Sequence, residues 1–346
     1  MDFNRSILIL TQQDLLDAGC FDMDEAIRVA EEALTSYAKG DIIYPEKVSV
    51  IFDQPTQERI NCLPAGLRPQ KVYGMKWVSV FPDNPHVRNL PNLSAVILLS
   101  ELVSGFPIAF MEGTMCSNMR TAAVSSVAAK FLAVKEPKTI GFIGCGEQAK
   151  THFLGMRTVF PSLKICRVSS RTEASEQKFE EQMCRFAPDV DFVRCAGNYR
   201  SAVEGCDIIV TAISGQEKIL QADWVKPGAF YCHVGGLEDD FGVALKADKI
   251  VTDHWEAVKH RTQTISQMYQ AGLLSDQDIY ADLHEIVTGK KLGRENEREF
   301  TYFNGVGLSY VDVALANWMY QKAAAQGKGT ALTMQDKSMF DVDLRH

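Results

Sequence analysis

A glycine-rich segment near the middle of the chain limits the fold more than any other feature. The apolar run 140–143 leads directly into Gly144, Gly146 and Ala149, which have the spacing G-x-G-x-x-A. In a strand–turn–helix unit the first glycine permits a tight turn, the second lets the backbone approach a pyrophosphate, and the small third residue lets the helix pack on the strand. The helix N-terminus then faces the phosphates. The pattern predicts a dinucleotide-binding unit; taken alone, it also fits an ordinary glycine turn.

The residues after this segment favour the dinucleotide-binding interpretation, because apolar runs and helical stretches alternate regularly. Alternation of this length is typical of a parallel sheet with helices on both faces and a ligand at its carboxyl edge. The predicted strands are 139–143, 164–169, 190–195, 207–213, 228–235 and 247–253. The predicted helices are 147–159, 172–186, 198–204, 254–270 and 275–287, followed by a strand at 300–303 and a final helix at 309–326.

The first third of the chain has a different pattern. An amphipathic helix is predicted at 22–39, and a long Ala-rich helix at 114–134. Between them, short alternating segments predict a mostly antiparallel sheet with strands at 42–52, 58–64, 72–81, 94–100 and 107–112. We therefore expect an α/β protein with a Rossmann domain over 119–307 and an α+β domain over 1–118 with 308–346.

Composition and charge exclude several classes of function. The chain has 346 residues and a formal net charge of −8, without a basic cluster, which argues against nucleic acid as a partner. The N-terminus has Asp2 and only a four-residue apolar run, so neither a signal peptide nor a membrane span is expected. Nine scattered cysteines without a C-x-x-C pair indicate a reduced, cytoplasmic setting and no metal site.

The end of the second strand of the dinucleotide unit indicates which cofactor is used. An acidic residue at this place hydrogen-bonds the ribose of NAD, but this strand ends in Ser170, Arg171 and Thr172. Hydroxyls and a guanidinium suit a 2′-phosphate, which favours NADP over NAD. Alternatively, Ser170 and Thr172 cap the following helix, and the two roles are compatible.

Two basic residues lie in apolar surroundings: Lys76, within Gly-Met-Lys-Trp, and Arg120, within Met-Arg-Thr-Ala-Ala. Alone, each has an ordinary explanation, as a solvated strand lysine and as a structural ion pair. At this spacing before the G-x-G-x-x-A segment, the pair resembles the ornithine cyclodeaminase/μ-crystallin family. The likeness extends from Pro45 to Asp312.

The resemblance implies a homodimer whose first domain binds the substrate and forms the dimer contact. Lys76 and Arg120, with Lys47 as a third cation, would hold the α-carboxylate of an amino acid or imine while hydride moves at Cα. Together with the glycine-rich segment and the second-strand tip, the resemblance gives a cofactor-binding set: Arg120, Thr121, Gly144, Gly146, Gln148, Ala149, Ser170, Arg171, Thr172, Thr211, Ala212, Ser214, Val234, Gly235 and Gly307.

The sequence departs from the family pattern at one position. Where cyclodeaminases have an Asp that acts on the substrate amine, this chain has Leu237, followed by Glu238 and Asp239. Glu238 or Asp239 could reach the same place after a shift of one or two residues, and Glu238 is taken as the catalytic candidate with Lys76 and Arg120. A solvated acidic turn is the alternative. His233 is a candidate proton donor or a packed structural histidine.

The stretches 81–89, 94–99 and 107–112 resemble the siderophore-pathway members of the family, the N-(2-amino-2-carboxyethyl)-glutamate dehydrogenases, which generally use NAD. We therefore expect an NAD(P)-dependent oxidoreductase acting on the C–N bond of an α-amino acid, an N-substituted amino acid or the matching imine. Two rivals remain: redox-neutral cyclodeamination, and a non-catalytic, crystallin-like protein that binds NADP.

Overall fold

The computed structural model describes residues 5–53 and 56–341, so Asp2 of the N-terminal prediction lies outside the described residues. Contacts divide the described residues into two compact units. The first unit contains 5–22, 40–53, 56–117 and 309–341, and the second contains 23–39 and 118–308. Both boundaries lie beside the predicted ones, but residues 23–39 belong to the second unit instead of the first.

The described residues form sixteen strands and twelve α-helices. The strands β1 to β16 are Arg5–Leu10, Ile42–Ile43, Val48–Asp53, Glu58–Leu67, Val72–Val80, Leu93–Glu101, Pro107–Glu112, Thr139–Ile143, Ile165–Ser169, Asp191–Arg194, Ile208–Thr211, Phe230–His233, Lys249–Thr252, Ala281–Asp282, Thr301–Asn304 and Thr330–Gln335. The helices α1 to α12 are Gln12–Asp17, Met23–Ala38, Asn84–Val87, Thr114–Leu132, Glu147–Val159, Glu173–Met183, Tyr199–Val203, Phe241–Lys246, Trp255–Val258, Thr264–Gln270, Leu283–Val287 and Ser309–Ala325.

The first unit is built on one sheet with the order β16-β1-β7-β6-β5-β4-β2, and β3 pairs with β4. Its pairs are antiparallel except β1 with β7. Helix α12 packs on β4, β5 and β6. The approach is close at Gly74, where a Cβ would lie 2.8 Å from Leu99 Cδ2 and 3.1 Å from Val313 Cγ2.

The second unit has a parallel sheet with the order β10-β9-β8-β11-β12-β15-β13-β14. Strands β8, β11 and β12 are almost wholly buried, as expected for strands with helices on both faces. The chain winds from β8 outward to β10 and then returns to β11 on the other side of β8. The carboxyl ends of β8 and β11 therefore form a topological switch point, where open α/β sheets bind ligands.

Helix α2 was predicted correctly as a helix but assigned to the wrong domain. Its apolar face packs on α5 and α11 of the second unit. Gly155 of α5 allows this contact, since a Cβ there would lie 3.2 Å from Met23 Cε. Amphipathicity shows that a helix has a buried face but does not show which neighbour covers that face.

Other differences concern segment ends and breaks. The predicted helix 254–270 is two helices, α9 and α10, and 275–287 contains a 3₁₀ turn, β14 and α11. The predicted strand 42–52 is interrupted between β2 and β3, and the edge pair β1–β16 was not predicted. Among the helices of residues 5–53 and 56–341, none has the length and apolar character to cross a bilayer. All nine cysteines are free thiols.

Candidate active site

Gly144 brings two turns into contact at the switch point. Its φ is +102°, a left-handed conformation that glycine adopts without strain. A Cβ at this position would lie 2.4 Å from the carbonyl oxygen of Ala212, which follows β11. The Gly144 N–H donates to the Ser169 carbonyl at 2.8 Å. A side chain at position 144 would separate these turns, so both the conformation and the space require glycine.

Gly146 leaves open space at the start of α5. It is the N-cap residue, it is exposed, and no atom lies within 4 Å of the position a Cβ would take. Because glycine has no side chain, the N-cap residue itself does not satisfy the first N–H groups of α5. Ala149, one turn on, is fully buried. This arrangement, a bare helix N-terminus beside a small-residue turn, fits the pyrophosphate of a dinucleotide.

The remaining predicted cofactor residues in the second unit lie near these turns. Gln148 Nε2 donates to Asn118 Oδ1 at 2.8 Å, which joins the first turn of α5 to α4, the helix that carries Arg120 and Thr121. At the end of β11, the Thr211 carbonyl accepts from the Val234 N–H at 3.1 Å. Ser214 is exposed in the loop beyond. The turns after β8, β11 and β12 therefore meet at one edge of the sheet.

The tip of β9 shows the capping role that was the alternative for its hydroxyl residues. Thr172 is the N-cap of α6, and its Oγ1 accepts from the Ser175 N–H at 3.3 Å. Ser170 Oγ donates to the Thr172 carbonyl at 3.0 Å. The Arg171 side chain is exposed. The capping alternative is thus present in the structure, and it leaves Arg171 at the surface of the tip.

A buried acid lies below this tip. The Glu176 side chain is fully buried and accepts from the N–H groups of Ser170 at 2.9 Å, Ala196 at 2.9 Å and Gly197 at 3.0 Å. The carboxylate thereby joins the loops after β9 and β10. These bonds give the buried carboxylate a structural role at the base of the tip.

Glu238 has a different environment from the one expected of a catalytic acid. Its side chain is fully buried. Its oxygens accept from Thr211 Oγ1 at 2.8 Å, the Ile213 N–H at 2.6 Å and the Gly235 N–H at 2.8 Å. A Cβ on Gly235 would lie 2.4 Å from Glu238 Oε1. In this environment Glu238 ties the turns after β11 and β12 together, and each of its oxygens accepts at least one hydrogen bond from them.

His233 lies in a buried polar cluster beneath the turn after β12. Its Nδ1 is 2.8 Å from the Tyr302 hydroxyl, and its Nε2 contacts the Gly236 carbonyl. The same ring lies 3.4 Å from Glu238 Oε2 and 3.3 Å from Asp239 Oδ1. Burial raises the pKa of Asp239 to about 6, against the opposing effect of His233. The packed structural histidine is the interpretation that this environment supports.

Arg120 lies against a glycine loop that an aspartate holds in place. A Cβ on Gly307, whose φ is +93°, would lie 2.4 Å from Arg120 Nη1. Asp253 Oδ2 accepts from the N–H groups of Gly307 at 2.7 Å and Val306 at 2.9 Å. Burial raises the pKa of Asp253 to about 7, while these N–H groups and Arg120 act in the opposite direction. Gly307 and Arg120 are thus brought together within the second unit.

Lys76 lies in the interior of the first unit. Strand alternation places it on the same face of β5 as Gly74 and Val78, toward α12. Its Nζ donates to Asp312 Oδ1 at 2.7 Å and to Ser117 Oγ at 3.1 Å. Lys47 is in the same unit, half-buried between β2 and β3. Lys76 is therefore a buried ion-paired lysine and not a solvated edge residue.

Sequence reasoning did not single out Asp312 as the partner of Lys76 or Asp253 as the residue that holds the Gly307 loop. Asp253 directly follows β13, so it lies at the carboxyl edge of the parallel sheet, and that position was a usable signal. Asp312 lies in the first turn of α12, 236 residues from Lys76, and nothing local indicates the pairing. Over the described residues, no group of His, Cys, Asp and Glu side chains has the arrangement of a metal site.

Comparison with known proteins agrees with these features. A sequence model described as the ornithine cyclodeaminase/mu-crystallin family matches residues 9–327. The N-((2S)-2-amino-2-carboxyethyl)-L-glutamate dehydrogenase of Staphylococcus aureus is 31% identical over 96% of this chain and 99% of its own length.

Two solved structures are similar over nearly their whole length. The Thermococcus litoralis Δ1-pyrroline-2-carboxylate reductase, in complex with NADH and L-proline, has a TM-score of 0.89 and 32% identity, covering 94% of this chain and 100% of that one. An archaeal alanine dehydrogenase dimer with bound NAD has a TM-score of 0.86 and 32% identity, covering 95% of this chain and 99% of that one.

Proposed function

The chain belongs to the ornithine cyclodeaminase/mu-crystallin family, and from this premise we propose the reaction that it catalyses. It is an NAD(P)-dependent oxidoreductase that acts on the C–N bond of an α-amino acid, an N-substituted amino acid or the corresponding imine. The observation that carries the proposal is the open space at Gly146, at the bare N-terminus of α5 and at the switch point of a parallel sheet. Dinucleotide pyrophosphates bind at such places.

The proposed substrate contacts follow from the charges described above. Lys76 and Arg120, with Lys47, bind the substrate's carboxylate through charge-assisted hydrogen bonds. When bound, the nicotinamide ring accepts or donates a hydride. In the oxidative direction the Cα–H bond breaks as hydride and the nitrogen loses one proton, which leaves an imine that water hydrolyses. Fixing the carboxylate orients Cα, and orientation of this kind is a large part of catalysis.

A single set of assays distinguishes this reaction from its rivals. Keto acids with amines, cyclic imines, L-alanine, L-proline and N-(2-amino-2-carboxyethyl)-L-glutamate are each incubated with NADH, NADPH or the oxidised forms, and absorbance is followed at 340 nm. We expect a substrate-dependent change. Ammonia release from ornithine or lysine without a change at 340 nm would instead indicate cyclodeamination. Tight cofactor binding with no turnover on any compound would indicate a non-catalytic binding protein.

We propose NADP as the preferred cofactor, because Arg171 is exposed at the β9 tip and the acid at that tip, Glu176, is engaged by backbone N–H groups. Replacing Arg171 with alanine is expected to raise the KM for NADPH roughly 10- to 100-fold, because a hydrogen bond to a charged group is lost. The KM for NADH should change less than about twofold. Lys178→Ala, which removes an exposed charge from α6, the helix that follows Arg171, is the control. Equal KM values for the two cofactors in the unaltered enzyme would contradict the preference.

We further propose a homodimer formed on the sheet face opposite α12. Trp77 on β5 is 47% exposed and Phe110 on β7 is 42% exposed. The strand register connects them through Val96 and Leu98 of β6, which makes one apolar surface. Phe110→Lys is expected to weaken dimerisation about 100-fold in sedimentation equilibrium, because the change places a charge in an apolar interface. Leu245→Lys, at an equally apolar exposed site of the second unit, should leave the dimer intact. An unchanged dimer in Phe110→Lys would exclude this surface.

A further inference from the structure

An aspartate on α12 forms an ion pair with Lys76 in the interior of the first unit. We propose that Asp312 is a positioning residue: its carboxylate keeps the Lys76 ammonium charged and in one orientation, and thereby sets the affinity for the substrate's carboxylate. The inference rests on the proposed function, since it assigns Lys76 to carboxylate binding. Asp312 acts through Lys76 and has no contact with the reacting atoms in this proposal.

Burial makes a partner necessary for Lys76. The lysine side chain is 1% exposed and that of Asp312 is fully buried. A buried ammonium without an opposite charge loses its hydration and tends to lose its proton. A neutral amine would attract a substrate carboxylate far less than an ammonium does. The 2.7 Å contact between Lys76 Nζ and Asp312 Oδ1 supplies the opposite charge from within the protein.

The same contact fixes the orientation of a flexible side chain. Lysine has four rotatable side-chain bonds, so one contact leaves its ammonium many positions. Here Nζ is held from two elements, by Asp312 of α12 and by Ser117 in the first turn of α4. Asp312 is itself held, because its carbonyl accepts from the Cys116 thiol at 3.6 Å and Ser309 of the same helix turn donates to the Pro64 carbonyl at 2.7 Å.

Stability alone does not account for this pair. Desolvation cancels much of the attraction within a buried ion pair, and apolar residues of similar size are often at least as stabilising. The other inward positions on this part of β5 are apolar or glycine, as at Val72, Gly74 and Val78. A charged pair among such residues therefore indicates that the protein uses a buried cation. In the proposed function, this cation binds the carboxylate of the substrate.

The test compares acids with their amides. The full-length protein saturated with NADH is titrated with L-proline, L-alanine and L-glutamate and with their α-carboxamides, by calorimetry. For the amino acid that binds most tightly, Asp312→Asn is expected to raise the Kd about 10- to 100-fold, while the Kd of its amide and that of NADH change less than about twofold. Asparagine has the same shape and can still accept from Lys76, so the variant isolates the charge.

Several outcomes separate this inference from the proposed function. Ser309→Ala, which removes a buried hydrogen bond from the same helix, should keep the preference for acid over amide. If Asp312→Asn does not fold, Asp312→Glu and Asp312→Gln form a matched pair, and the Glu variant should bind the acid about tenfold more tightly than the Gln variant. The inference is overturned if Asp312→Asn keeps the preference for acid over amide. It is also overturned if the Glu and Gln variants bind the acid with equal affinity. If the unaltered protein binds no acid, the proposed function fails as well.

Discussion

Replacing Arg120 with alanine is expected to lower kcat/KM about 1,000-fold while the protein remains folded. Loss of a charge-assisted hydrogen bond accounts for roughly 10- to 100-fold, and the misorientation of Cα that follows accounts for at least a further tenfold. Folding should survive because alanine suits the interior of α4. Burial raises the pKa of Asp253 to about 7 and Arg120 opposes this rise, so the Asp253 carboxyl can take up a proton when the cation is removed. Steady-state kinetics and thermal unfolding measure the two effects.

Two further variants on α4 sharpen this test. Arg120→Lys keeps the charge but loses the planar fork of donors, so an intermediate loss is expected. Lys130→Ala removes a cation from the exposed surface of the same helix, where it pairs with Glu31. Its kcat/KM should equal that of the unaltered enzyme. A kcat/KM for Arg120→Ala within tenfold of the unaltered value would remove Arg120 from carboxylate binding.

Replacing Gly146 with aspartate is expected to weaken cofactor binding at least about 100-fold. A Cβ at this position meets no protein atom within 4 Å, so the free protein should tolerate the change. The bound pyrophosphate would occupy that space, and a carboxylate there would add charge repulsion at the helix N-terminus. Fluorescence titration with NADH and NADPH gives the Kd values, and thermal unfolding without cofactor checks the fold.

Gly146→Ala is the matched control, since it adds a methyl group without charge. We expect Gly146→Ala to weaken cofactor binding about tenfold or less. The difference in Kd between the two variants therefore measures the effect of the carboxylate charge. Equal cofactor affinity in Gly146→Asp and the unaltered protein would place the phosphates elsewhere.

The environment of Glu238 could be predicted only in part from the local sequence. The sequence showed that the residue after Leu237 is acidic and lies just beyond a buried strand, which suggested a catalytic role. The structure shows three donors, from Thr211, Ile213 and Gly235, converging on that carboxylate. Two of these donors belong to the end of β11 and the residues just after it, about 25 residues away in the sequence. Whether an acid faces substrate or backbone N–H groups depends on that neighbour, which no local pattern describes.

Features that depend on near neighbours followed from the sequence. The spacing of Gly144, Gly146 and Ala149 required a tight turn into a helix, and regular alternation required a parallel sheet. Tertiary structure alone decided the partners: α2 on the second unit, Asp312 beside Lys76, and Gly307 against Arg120. The physical reason is that turns and helices follow from residues a few positions apart, whereas an ion pair across 236 residues forms only when whole elements pack together.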